Sequence, residues 1–133
     1  MKYNFNTFGL LSFFGAMFLQ VQPTLSFAAN NIAVAAVEAN ENSEISEVAG
    51  RAPYYLIFDQ NGVFLKSIEN TGQSSRRGSS SAVVDLLLRE SCKTVIAGQF
   101  GGKMNSQLKA NQIESYERTG IAKDVIKSLG SGK

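Results

Sequence analysis

Tyr54-Tyr55-Leu56-Ile57-Phe58-Asp59-Gln60-Asn61-Gly62, followed by Val63-Phe64-Leu65-Lys66-Ser67-Ile68, is the stretch that decides the fold of this chain. Aromatic and branched residues crowd its first arm, and such residues favour extended backbone. Asn61-Gly62 is the strongest short hairpin signal, because the tightest turns need positive φ, which Asn and Gly tolerate. The pattern therefore predicts strands over 54–58 and 63–68, running antiparallel, with Gly50-Arg51-Ala52-Pro53 as the turn leading in.

Upstream, Ile32-Ala33-Val34-Ala35-Ala36-Val37 is a short, continuous apolar run, as expected of a strand buried on both faces. Residues 38–47 are polar and acidic and read as a loop. Downstream, residues 70–81 are rich in Gly, Ser and Arg and read as an exposed loop. Residues 82–90 read as a helix whose Val83, Val84, Leu86, Leu87 and Leu88 pack on a sheet, with Asp85 and Arg89 at i,i+4 spacing outside. Then come a strand over 93–97, a Gly-rich turn over 98–102, and a short helix over 104–110 with Asn111 as a left-handed stop. A strand over 112–116 follows. Thr119 is the expected cap of a last helix, which holds Ile121, Val125 and Leu129 on one face and ends at Gly130. The order is β-β-β-α-β-α-β-α. Strand-helix-strand crossovers imply parallel pairing, so the expected fold is α/β, a mixed five-stranded sheet with helices on its faces.

With 133 residues, one domain is the natural expectation. Thirteen Lys and Arg against 11 Asp and Glu give no general case for nucleic acid or anionic membranes. There is no His and a single Cys. The commonest general base and neutral metal ligand is thus missing, and no disulfide can form within the chain. At the N-terminus, Lys2 precedes an almost wholly apolar run over 10–21. Pro23 and then Ser26-Phe27-Ala28 follow, with small residues placed for cleavage after Ala28. This is the secretory pattern. A spanning helix needs about 20 apolar residues, more than this run offers. The expectation is a cleavable signal peptide over 1–28, a single domain over 29–133, and a periplasmic or secreted protein. It would touch membrane only through an uncleaved signal peptide.

Several of these segments resemble the dinitrogenase iron–molybdenum cofactor biosynthesis family, the NifX-like or NifB C-terminal-like domain. Gly50-Arg51-Ala52-Pro53-Tyr54-Tyr55 resembles its "FGRAPYF" segment, Phe58-Asp59-Gln60-Asn61-Gly62 its hairpin, and Ile68-Glu69-Asn70 its "EN" strand end. Residues 78–88 resemble its small-residue helix start. Val95-Ile96-Ala97-Gly98-Gln99-Phe100-Gly101 resembles its "VIAGxxG" turn, and Leu108-Lys109-Ala110-Asn111-Gln112-Ile113 its "LKAAGI" segment. The resemblance spans about residues 32–129. It implies a three-layer ribonuclease-H-like fold without nuclease activity, and binding or carriage of iron–sulfur or iron–molybdenum cluster precursors. It also implies a metal-cluster donor or acceptor protein as partner. This sequence departs from the family at its histidines. Val48-Ala49 stand where His often precedes the "FGR" segment, and the loop at 71–79 has none.

The candidate ligand-binding residues are Gly50, Arg51, Asn70, Arg76, Arg77, Gly98, Gln99, Gly101 and Gly102, on loops expected to meet at one end of the sheet. A phosphate loop needs Gly, four residues, then Gly-Lys-Ser/Thr. Gly102-Lys103 fits, but Ala97 and Met104 stand at the other two positions, which argues against a nucleotide hydrolase of that type. A turn between a parallel strand and a helix still favours anions through its free N–H groups; the alternative is that its glycines serve close packing alone. Arg76-Arg77 could clasp an anion or an acidic partner, or be merely solvated. Arg51 lines a cleft or pairs with a carboxylate. Cys92 is a weak metal candidate, because one thiolate without His cannot close a tetrahedral site; otherwise it is a small buried hydrophobe. No spacing forces Asp59, Glu69, Asp85 and Asp124 together, and Ser79-Ser80-Ser81 read as loop and helix cap. The function expected is an exported, non-catalytic binding protein. A ligand-free interaction module is the alternative, and a hydrolase or nuclease ranks last.

Overall fold

A computed structural model describes residues 29–73 and 78–131. The signal-peptide segment 1–28 and the pair Arg76-Arg77 lie outside the described residues. The chain forms β1 (Asn31–Ala36), a 3-10 turn (Ala49–Arg51), β2 (Tyr54–Phe58), β3 (Phe64–Glu69), α1 (Ser79–Arg89), β4 (Cys92–Ala97), α2 (Gly102–Ala110), β5 (Glu114–Glu117) and α3 (Ala122–Ser131). The five strands make one sheet in the order β3-β2-β1-β4-β5. β2 pairs antiparallel with both β1 and β3, whereas β1–β4 and β4–β5 are parallel. This is the ribonuclease-H-like arrangement of strands.

The hairpin forms as its sequence demands. Asp59 Oδ1 accepts the N–H groups of Asn61 and Val63, and Gly62 takes φ 87°. β1 lies at the centre, and Ala33, Val34, Ala35 and Ala36 are fully buried, so its apolar run needs no alternation. Odd and even residues of the sheet feed two separate cores. Ala33, Ala35, Tyr55, Ile57 and Val95 pack with Val83, Leu87, Met104 and Leu108 beneath α1 and α2. Val34, Ala36, Leu56, Phe58 and Ile96 pack with Ala122 and Ile126 beneath α3. The result is three layers, two helices on one face and one on the other. Among the described residues no helix is long and apolar enough to cross a membrane.

Several local expectations are corrected. α1 begins at Ser79 rather than at residue 82, because Gly78 in the left-handed region (φ 78°) starts the helix among the serines. The 70–81 stretch is therefore not all exposed loop. Asn70 is 2% exposed, and Ser80 is also buried. Asn111 is not left-handed; Gln112 is (φ 60°), and the Ile113 N–H closes back on Leu108 O at 2.9 Å. β5 accordingly starts at Glu114. Gly130 lies inside α3, which continues to Ser131. The 38–47 loop packs instead of hanging free. Ile45 bridges Ala36, and Ser43 Oγ accepts the N–H groups of Val37 and Glu38. That loop, rather than Thr119, meets the start of α3, since the N–H groups of Ala122 and Lys123 donate to Ser43 O and Glu41 O at 2.9 and 3.0 Å.

Cys92 opens β4 at the end of the strand away from the Gly-rich turn and is 1% exposed. Burial first, and the Glu90 carboxylate second, push its thiol up to about 12, against a smaller opposing pull from Lys66. Folding therefore holds a proton that the unfolded chain gives up near pH 9. The stabilisation is complete below about pH 9 and is lost as pH rises toward about 12. Urea midpoints measured across that range should fall more steeply for the wild type than for Cys92→Ala. Parallel curves would show that the thiol is not held in this way.

Candidate functional site

The carboxyl-terminal ends of β1 and β4 and the start of β2 lie at one end of the sheet, as parallel β1–β4 and antiparallel β1–β2 pairing require. There the 3-10 turn 49–51 meets two helix N-termini. A Cβ placed on Gly50 would lie 3.3 Å from Ser79 Oγ at the start of α1, and 3.5 Å from Met104 Cε in the first turn of α2. The start of α1 thus abuts this glycine, and α2 reaches it through the end of the Met104 side chain.

Three anchors hold that turn. The Tyr55 hydroxyl donates to Ala49 O, and burial raises its pKa, so it remains a donor. The Ala49 N–H donates to Gln99 O at 3.1 Å. The Asn70 amide donates to Ala52 O at 2.8 Å and to Gly50 O at 3.4 Å, while its Oδ1 accepts the Gly72 N–H at 3.1 Å. Arg51 adds an outer tie, from Nη1 to Gln73 O at 3.2 Å, and its guanidinium is otherwise exposed.

The candidate residues consequently divide. Gly50, Arg51, Gly101 and Gly102 lie around the helix starts. Asn70 is close by, but its amide is spent on joining two backbone segments. Gly98 and Gln99 belong to another contact, in which their N–H groups donate to Ser46 O and Glu47 O at 2.9 and 2.7 Å. They line a cleft with Val37, Glu44, Ile45 and Ile121. Glycine at 98 serves close packing, whereas among the described residues no atom lies within 4 Å of a Cβ placed on Gly101 or Gly102. Ser79 at the Gly50 contact, read from sequence only as loop and helix cap, and Glu117, which accepts the Phe100 N–H, are not identified as site residues by the sequence. They lie 29 and 17 residues from their partners and carry no local motif.

The electrostatics of the three helix starts differ. Among the described residues neither α1 nor α2 has a side-chain cap, and neither first turn holds an acidic residue. Their first N–H groups have no intrahelical acceptor, and the helix dipole adds partial positive charge. Exposed Lys103 stands in the first turn of α2. α3, in contrast, has Asp124 in its first turn and backbone carbonyls on its first N–H groups. The α1/α2 end therefore carries partial positive charge that no acidic residue in either first turn offsets.

A metal–sulfur cluster ligated by protein side chains needs thiolate or imidazole donors. The chain has no His, and its only thiol is buried at the opposite end of β4, held protonated. Among the described residues no three His, Cys, Asp or Glu side chains gather to hold a metal ion. The donor set does not fit a side-chain-ligated cluster.

Solved structures resemble the chain in fold. The apo orange protein from Desulfovibrio gigas superposes with a TM-score of 0.72 at 19% identity, covering 77% of this chain and 88% of that one. A candidate NifB protein from Thermotoga gives 0.67 at 24% identity, covering 77% and 89%. A candidate dinitrogenase from Methanocaldococcus jannaschii gives 0.52 at 15% identity, covering 80% and 92%. A comparison with curated protein sequences finds no significant match. The family model described as dinitrogenase iron-molybdenum cofactor matches residues 30–132, nearly the whole described domain, and the chain belongs to that family.

Proposed function

We propose that this chain is an exported, non-catalytic binding protein that carries a metal–sulfur precursor or another small anion at the α1/α2 end of its sheet. The observation that carries the proposal is the pair of acid-free helix starts, neither side-chain capped among the described residues, at the end of the sheet where Gly50 packs against Ser79 and the Met104 side chain. Membership of a family concerned with a metal cluster supports a metal–sulfur cargo. Because imidazole is missing, the backbone N–H groups of Gly101, Gly102 and the α1 start would contribute more than side-chain metal ligands, with Arg51 closing the site. Export is supported by Lys2, the apolar run over 10–21 and Ser26-Phe27-Ala28. The cargo would pass to or from a donor or acceptor protein outside the cytoplasm.

A second reading, an interaction module that keeps the fold without the ligand, is favoured by the internal use of the Asn70 amide and of the Gly98 and Gln99 N–H groups. Mass spectrometry of natively purified protein, together with anaerobic incubation of residues 29–133 with iron, sulfide and molybdate, separates the two. The proposal expects an N-terminus at Ala29 and metal uptake by the folded domain. A colourless, metal-free protein would remove the cluster version in favour of the module.

A further inference from the structure

The turn ahead of α2 uses its N–H groups in two ways. Those of Gly98 and Gln99 go to neutral backbone carbonyls. The next one, of Phe100, donates to Glu117 Oε2 at 3.3 Å. The sheet brings this about. Parallel pairing of β4 and β5 sets Glu117 level with Ala97, so a side chain from the end of β5 reaches the turn that follows β4. Glu117 is exposed, and among the described residues no Lys or Arg is ion-paired with it. A carboxylate therefore takes the N–H of Phe100, the residue immediately before Gly101, whose own N–H is assigned above to an anion.

We propose that Glu117 is a built-in competitor at this site. Its negative charge weakens the hold on multiply charged anions and so sets which cargo is retained and how readily it leaves. The inference rests on the anion-binding reading of the α1/α2 end. The carboxylate satisfies the Phe100 N–H when cargo is absent and repels it when cargo arrives. A neutral amide in its place keeps the hydrogen bond and removes the repulsion.

Calorimetric titration of the folded domain with molybdate, at low and high salt, tests this with Glu117→Gln and Glu114→Gln. Glu114 is the control. It lies on the same strand level with Thr94, carries the same charge, and accepts a hydrogen bond from the Tyr116 hydroxyl instead. Removing Glu117's charge should tighten molybdate binding about fivefold at low ionic strength, and the gain should shrink as salt screens it. Glu114→Gln should change affinity less than about twofold, because its charge is several residues further along the strand and largely screened. Unaltered affinity in Glu117→Gln, or an equal gain in Glu114→Gln, would overturn the role of Glu117 while leaving the site intact. No molybdate binding by any of the three proteins would overturn the site itself.

Discussion

Asn70→Asp is expected to destabilise the fold by about 3 kcal/mol, although it changes one amide into a carboxyl of the same shape. Asn70 is 2% exposed, and its amide nitrogen faces two carbonyls, Ala52 O and Gly50 O. An aspartate offers only oxygen there. Ionised, it sets a buried charge against two acceptors; protonated, it can donate to only one. Its acceptor bond from the Gly72 N–H survives, so the loss is specific to the donor side. The introduced carboxyl would have a raised pKa in the folded state, because burial and facing carbonyls both disfavour its charge. Stability tied to the protonated form is present below the unfolded value near 4 and is lost as pH rises. The deficit relative to wild type should therefore narrow toward pH 4. Urea unfolding at several pH values measures both effects. A variant within about 1 kcal/mol of wild type at neutral pH would show that the amide does not hold the two segments together.

The wider consequence is that Asn70 acts on the site from behind. Its side chain joins residues 50–52 to residues 70–72, and the Arg51–Gln73 bond lies across the same junction. Loosening it should move Gly50 relative to the starts of α1 and α2. Cargo binding would then fall along with stability, through position and not through a lost contact with the anion.

Local chemistry made much of this fold legible in the sequence. The Asp59–Val63 turn is closed by its own side chain and glycine, so no distant residue is needed to specify it. The run of β1 and the apolar spacing of α1 identify themselves by period. What stayed hidden depends on contacts far along the chain. Thr119 looked like a cap, yet the carbonyls of Glu41 and Ser43 arrive from about 80 residues earlier to take the same N–H groups. Asn70 looked like the edge of a polar loop, because nothing in its neighbours reveals two carbonyls 18 and 20 residues away. The candidate site shows the same division. Glycines and Arg51 were visible as residue types. Which glycine faces a ligand and which faces another strand segment is a matter of tertiary approach, and no local pattern encodes it.

Gly98→Ala separates those two kinds of glycine, and it should cost about 3 kcal/mol, from overpacking together with lost hydrogen bonds. A Cβ at 98 would fall 2.6 Å from Glu47 O and 2.7 Å from Glu47 Cα. Both are backbone atoms, so no side-chain rotation can relieve the clash. The two segments must separate instead, and three bonds span them: Gly98 N–H to Ser46 O, Gln99 N–H to Glu47 O, and Ala49 N–H to Gln99 O. The third of these also fixes the turn that carries Gly50 and Arg51, so the damage should spread to the site. Gly101→Ala is the matched comparison. Its φ is −75° and no atom of the described residues lies within 4 Å of an added Cβ, so its stability cost should stay below about 1 kcal/mol, the usual difference between Gly and Ala at a helix cap. Urea midpoints at constant slope measure the two directly. If Gly98→Ala proved as stable as Gly101→Ala, the 46–49 segment would not be packed against the turn as described. Glycine at 98 would then have to be explained by the ligand after all.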